Sequence, residues 1–170
     1  RDLVRSRGLG DVYKRQTYGT CVGGAIVRGG AIYHGTNWSA GEFGMMYMNG
    51  EYYENIASVT RLVEQAKAMD ASLCDGRTIT TNLDRSDVHV LVDGWAKQVA
   101  EGLASLIHIF NPACMIIGGG IMEDENVFNM VTSKVSELTA PGFDVNIRSA
   151  RFGNSAGLIG AGILAQKLMK

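Results

Sequence analysis

Three groups of residues in this 170-residue chain have types and spacings that could do chemistry. The first is Gly19-Thr20-Cys21-Val22-Gly23-Gly24. A backbone this rich in glycine can approach a ligand closely and take positive φ at little cost. The second is Gly118-Gly119-Gly120, set between a short apolar run and a helical pattern. A strand that ends in glycines ahead of a helix can turn N–H groups toward a nucleotide phosphate, with the helix N-terminus adding a favourable field. A tight turn with glycines in left-handed positions accounts for the same residues without a ligand. The third is a lone carboxylate, Glu42 within Ala40-Gly41-Glu42-Phe43-Gly44. A carboxylate accepts hydrogen bonds from two adjacent hydroxyls without needing to titrate. A glycine-rich hairpin that ends in Glu42 therefore suggests a site where phosphate and a polyhydroxylated molecule meet. A solvated loop position or a helix-start charge also explains Glu42. The dinucleotide fingerprint and the Walker pattern are both absent from the Gly118–Gly120 junction.

The elements around these residues follow from periodicity. Ala25-Ile26-Val27 and Ala31-Ile32-Tyr33 flank Arg28-Gly29-Gly30 as the arms of a hairpin. The spacing of Ile56, Val59, Leu62, Val63 and Ala66 predicts one helix over 54–69. Asp75-Gly76 marks a turn. A long, largely buried helix runs over 88–109, with Asp84 or Ser86 as its cap, and Asn111-Pro112 ends it. Ala113–Ile117 suits a central strand covered on both faces. A helix over 126–138 has Glu123, Asp124 and Glu125 at its front, where the macrodipole favours them. A strand over 143–147 and a closing helix over 156–169 complete a βαβ alternation.

Composition bounds the function. A net charge of −1 argues against nucleic acid as a main partner. No apolar run reaches the roughly 18–20 residues of a membrane helix, and no signal-peptide pattern is visible. Cys21, Cys74 and Cys114 are odd in number and far apart, which fits a reducing cytoplasm without disulfides. Residues 1–16 read as a non-native or disordered leader. Asp11-Val12-Tyr13-Lys14-Arg15-Gln16 looks like a translated sequencing adapter, the alternative being an ordinary basic terminus. Residues 17–170 then form one domain. His108 reads as a satisfied core histidine, His89 as exposed near a helix start, and His34 as a residue that could approach a substrate. Tyr33 reads as core, Trp38 is open between core packing and stacking on a ligand, and Met45, Met46 and Met48 read as adaptable packing.

Taken in order, several motifs resemble the ROK family of sugar kinases and sugar-responsive repressors. They are Gly19-Thr20 with Gly23-Gly24, Ala40–Gly44, Glu54 with Ala57-Ser58, Asn111-Pro112, Ile116–Gly120, and Asn154 with Ala156-Gly157-Leu158-Ile159-Gly160-Ala161. The resemblance implies an α/β fold, the ribonuclease H-like (actin-like ATPase) C-terminal lobe with a mixed sheet flanked by helices, its N-terminal lobe missing. It implies that Gly19, Thr20 and Gly23 contact ATP phosphates and that Gly118, Gly119 and Gly120 line the adenosine side. Glu42 and Glu54 become contacts to sugar hydroxyls. ATP and Mg²⁺ are the expected cofactors, a sugar or glycoside the substrate, and a homodimer the expected assembly. Cys21 stands where the family usually has glycine, either as a small buried residue or as one that narrows the phosphate approach. Met45 stands where many members have a zinc-binding histidine, and residues 46–53 hold no cysteine, so no structural zinc is expected. The Asn-Asp pair whose Asp serves the family as catalytic base does not precede Thr17. The expected function is thus a fragment of an ATP-dependent kinase of a hexose or β-glucoside, inactive alone. The alternative is the sugar-sensing effector domain of a repressor.

Overall fold

The computed structural model describes residues 12–151. The chain opens with strand β1 (Val12–Tyr18), crosses a short connection to β2 (Val22–Arg28), and turns at Gly29-Gly30 into β3 (Ala31–Ile32). Both turn glycines have positive φ, 58° and 77°, the geometry that joins strands of right-handed twist with only two residues. A second, two-stranded hairpin, β4 (Tyr47–Met48) with β5 (Glu51–Tyr52), leads into four helices: α1 (Tyr53–Ala57), α2 (Val59–Met69), α3 (Gly76–Thr80) and α4 (Ser86–Phe110). Strand β6 (Cys114–Gly118), helix α5 (Glu125–Leu138) and β7 (Asn146–Ser149) follow. The main sheet has the order β3-β2-β1-β6-β7. Its first three strands are antiparallel, while β1, β6 and β7 are mutually parallel. This is the expected mixed sheet flanked by helices.

Several sequence expectations shift. β1 begins at Val12, five residues inside the expected leader, because a backbone placed between β2 and β6 finds ladder partners on both edges. The single helix expected over 54–69 is two helices. Ser58 breaks it by adopting extended backbone (ψ 154°) and capping α2, its Oγ accepting from the Arg61 N–H at 3.3 Å. Asp75 is likewise a helix cap. Its carboxylate accepts from Thr78 N–H at 2.7 Å, while Thr78 Oγ1 accepts from Asp75 N–H at 3.0 Å, a reciprocal capping box. Neither Asp84 nor Ser86 caps α4, whose N-cap is Arg85 with no side-chain cap bond. Arg85 instead reaches the carboxylates of Asp70 and Asp87 at 2.7 and 2.9 Å, fixing the loop before α4. Asn111 ends α4 as expected, but as a left-handed cap (φ 41°) and not in the extended region that a following proline favours. The last described strand starts at Asn146 rather than 143. The helix expected over 156–169, and the Asn154–Ala161 motif, lie outside the described residues.

The core is organised on three aromatic side chains. Tyr18 and Tyr53 are fully buried, and their hydroxyls meet at 2.8 Å. Tyr53 donates to the Val99 carbonyl at 2.7 Å, so its oxygen receives the Tyr18 proton. Trp95 meets Tyr18 edge-on at 6.4 Å and donates its indole N–H to the carbonyls of Ala57 and Ser58, the groups exposed where α1 stops. Tyr53 needs space on α4, and Gly102 supplies it, since a Cβ there would overlap the Tyr53 ring.

Substitutions at two glycines of α4 should therefore have opposite signs. Gly94 has no neighbour within 4 Å of its Cβ position, so Gly94→Ala should stabilise by about 1 kcal/mol through helix propensity. Gly102→Ala should destabilise by about 1–3 kcal/mol through overpacking. Urea midpoints of the two variants check this, and equal signs would contradict it.

Candidate functional site

Register places the first two glycine groups together. Thr17 pairs with Gly118 across the parallel β1–β6 ladder, so Tyr18-Gly19-Thr20 and Gly119-Gly120 leave the sheet side by side. Ligands of open α/β sheets gather at such carboxyl ends of parallel strands. Gly119 has φ 117°, and a Cβ there would fall on the Tyr18 carbonyl, so only glycine lets the two exits touch.

A cleft of about 870 Å³ opens at this edge, and Gly19, Thr20 and Gly120 line it. Its opposite wall is α2, through Val59, Thr60 and Val63, with Lys67 at the rim. Arg77 on α3 is its second cation, and Ile121 adds an apolar surface. The start of α2 is tied to the strand exit. Val59 N–H donates to the Gly19 carbonyl at 2.9 Å, and Thr60 Oγ1 donates to the Thr20 carbonyl at 3.0 Å. Gly23, Gly118 and Gly119 do not line the cleft. Gly23 pairs with Thr17 inside the sheet, while Gly118 and Gly119 are buried beneath the surface that Gly120 presents. The helix field expected at Gly118–Gly120 is displaced, because a short 3₁₀ turn (Gly120–Glu123) intervenes. The first N–H groups of α5 are taken by the Asp124 carboxylate, which accepts from Asn126 and Val127.

Neither candidate sugar carboxylate lines this cleft, and the segments that carry them meet at Gly44. Glu42 is exposed and immediately precedes the 3₁₀ turn Phe43–Met45. Glu54 is half-buried on α1, and its Oε2 lies against Gly44, 3.1 Å from where a Cβ would stand. Gly24 and Gly41 serve the same approach. The Phe43 ring occupies the Cβ position of Gly24, and the Gly41 turn (φ 102°) rests on the Gly24 carbonyl. Much of the glycine pattern thus seats the Glu42 turn on β2.

Other expectations are corrected. Cys21 is exposed and does not line the cleft, so neither of its two sequence readings describes it. His108 is exposed, not core, and its Nε2 accepts from the Ala140 N–H at 3.0 Å. Tyr33 is exposed rather than core, and His89 is exposed as expected. Met46 and Met48 pack against the core, whereas Met45 is exposed. Sequence reasoning passed over Thr60, Lys67, Asp75 and Arg77. Thr60, Glu64 and Lys67 recur at helical spacing on one face of α2, and Asp75 with Thr78 has capping-box spacing, so both signals were present. Among the described residues, no three His, Cys, Asp or Glu side chains gather to hold a metal ion. Nor is any described helix long and apolar enough to cross a membrane.

The family model described as "ROK family" matches residues 15–168. A β-glucoside kinase of Listeria innocua is 30% identical over 159 residues, covering 85% of this chain and 53% of that protein. A ROK hexokinase from Thermus thermophilus superposes with a TM-score of 0.79 at 25% identity, over 92% of this chain and 57% of the other. A ROK glucokinase from Streptomyces griseus, in complex with glucose and AMPPNP, gives 0.78 at 23% identity, over 95% and 62%. The chain spans about half the length of the curated relatives it matches.

Acid should loosen the α3 wall of the cleft. The backbone N–H of Thr78 holds the Asp75 carboxyl below the usual carboxylate range, and the Arg85 guanidinium does the same for Asp70. A lowered folded-state pKa stabilises fully above the ordinary Asp value of about 3.9 and is lost as pH falls below it. Stability measured by denaturant unfolding should therefore fall below about pH 4. Asp75→Asn keeps the cap but cannot titrate, so it should flatten this acid-side slope. An unchanged slope would remove Asp75 from the account.

Proposed function

Because the chain belongs to the ROK family, we propose that it carries the nucleotide cleft and the sugar-hydroxyl carboxylates of an ATP-dependent kinase of a hexose or β-glucoside. The observation that carries this reading is the parallel exit of β1 and β6, which joins Gly19, Thr20 and Gly120 on one cleft of about 870 Å³. The Thr20 hydroxyl and the Gly19 backbone suit phosphate oxygens, and Lys67 and Arg77 partly offset the carboxylates of Glu64, Asp75, Glu123 and Asp124 on the same cleft. Val59, Val63 and Ile121 offer an apolar surface for a base. The Streptomyces griseus glucokinase holds AMPPNP and glucose, which supports the same pair of ligands here. Mg²⁺ arrives on the ATP phosphates as part of the substrate. Glu42, assisted by Glu54, accepts from sugar hydroxyls. Met45 and residues 46–53 offer zinc neither a histidine nor a cysteine.

Phosphoryl transfer of this kind rests on positioning and electrostatic stabilisation, with a carboxylate accepting the proton of the attacking hydroxyl. The family's Asn-Asp pair is not among the 170 residues. The chain alone should therefore bind both ligands without transferring phosphate.

Calorimetric titration with MgAMPPNP and with glucose or cellobiose tests the proposal. Thr20→Val should weaken the nucleotide and leave the sugars unaffected. Glu42→Gln should weaken the sugars about ten- to hundredfold, the value of a hydrogen bond to a charged group. Absence of both bindings, or sugar affinity indifferent to Glu42→Gln, would overturn it.

A further inference from the structure

The turn between β4 and β5 consists of Asn49-Gly50, with Met48 and Glu51 paired across it. Both turn residues have positive φ, 52° and 88°, the left-handed pair that such a two-residue hairpin loop requires. That geometry accounts for the residue types. It does not account for where the asparagine side chain goes. Asn49 Nδ2 donates to Glu101 Oε2 on α4 at 3.3 Å, tying the tip of the hairpin to the helix. The next position on α4 is Gly102, whose missing side chain admits the ring of Tyr53, the residue that follows β5. The hairpin is therefore docked on α4 at two adjacent points, a buried one through Tyr53 and an exposed one through Asn49.

The exposed point is also the chemically labile one. Asn49 is the one asparagine of the sequence that is followed by glycine. A glycine carries no Cβ to keep its backbone nitrogen away from the preceding side chain, and its backbone turns freely. Gly50 is exposed, has nothing within 4 Å of its Cβ position, and presents its N–H outside the Met48–Glu51 pairing. A groove of about 320 Å³, lined by Met48, Asn49, Glu101, Ser105 and His108, opens the Asn49–Glu101 contact to solvent.

We propose that Asn49-Gly50 is a site of spontaneous deamidation, and that Glu101 turns the change into a loosening of the hairpin. The co-reactant is water. The Gly50 nitrogen bonds to Asn49 Cγ, the Cγ–Nδ2 bond breaks, and the side-chain nitrogen leaves as ammonia with the proton of the Gly50 N–H. Water then opens the cyclic imide at either carbonyl, leaving an aspartate or an isoaspartate at position 49. One water is consumed, one ammonia is released, and nothing is oxidised. The donor that faced Glu101 has then become a second carboxylate, and like charges set opposite each other repel. An isoaspartate also lengthens the backbone of a loop whose geometry fits only two residues. The hairpin stands between the Glu42 turn and α1, but the modification needs no ligand at either.

Peptide mass mapping of the whole chain, after incubation in warm neutral buffer made with heavy-oxygen water, reads the chemical step. Position 49 should convert ahead of every other asparagine, and the new acid should carry an oxygen from the water. Hydrogen exchange, measured relative to the amides of α5, reads the consequence. Asn49→Asp should speed exchange of the 47–52 amides about two- to fivefold, the effect of one opposed pair of like charges. Adding Glu101→Gln should return exchange to near the parent rate, because amide and carboxylate have then only changed places. An Asn49 that stays intact while other asparagines convert overturns the modification site. Exchange indifferent to Asn49→Asp, or equally fast once Glu101→Gln is added, overturns the role of Glu101.

Discussion

The hydroxyl contact between Tyr18 and Tyr53, closed against Trp95, is the constraint on which the rest of the structure depends. Tyr18 is the last residue of β1, and the next two residues are Gly19 and Thr20. Locking its ring among α1 and α4 fixes the direction in which the chain leaves the sheet. Burial pushes both phenols well above their ordinary pKa, so they stay neutral and the bond stays made at any physiological pH. A buried polar pair of this kind is costly unless every proton is placed. Here the Tyr53 proton goes to Val99 and the Tyr18 proton to Tyr53. The glycines at 102 and 119 follow from the same contact, one admitting the Tyr53 ring and the other admitting the Tyr18 carbonyl.

Ser58 carries that constraint to both halves of the candidate site. An unbroken helix over 54–69 would present Glu54 and Thr60 on a single straight axis. Breaking it at Ser58 lets α1 lean on the Gly44 turn, where Glu54 meets the Glu42 segment, while α2 docks on Gly19 and Thr20. The break frees the carbonyls of Ala57 and Ser58, and Trp95 takes both. The indole that edges onto Tyr18 thus also sets the angle between α1, which carries Glu54, and α2, which lines the cleft. A change that loosened Trp95 would disturb both at once, although Trp95 lines neither.

What was legible in the sequence were the features written in short-range periodicity. The Gly29-Gly30 hairpin, the long α4 and its stop at Asn111, and the apolar β6 are each fixed by residues within a few positions of one another. The Ser58 break was not legible, because Ile56, Val59, Leu62, Val63 and Ala66 keep helical spacing across it, and the local Ser58 cap is reinforced by long-range bonds to Trp95 and the Gly19 carbonyl that the sequence does not display. His108 misled for a related reason. It follows a run of buried residues on α4, yet faces outward to accept from Ala140. The backbone of residues 12–16 forms β1 despite an unusual composition, since ladder bonds are made by backbone and do not read side chains. The family motifs located the candidate site residues, and register explains why Gly19, Thr20 and Gly120 share a cleft.

Space at the glycines divides the motifs further than their spelling does. Gly24, Gly41, Gly44 and Gly119 are each crowded by the chain itself, so their missing side chains are accounted for by internal contacts. Gly19 is different, with nothing within 4 Å of its Cβ position, and it lines the cleft. Gly23 is equally open but sits within the β1–β2 ladder, away from that cleft. A glycine needed for internal contact and one needed for ligand approach look alike in a sequence. Among the described residues, Gly19 combines free space with a place on the cleft and a carbonyl fixed by α2. The part of the first motif that lines the cleft therefore narrows to Gly19-Thr20, while Gly24 belongs with Gly41 and Gly44 to the support of the Glu42 turn.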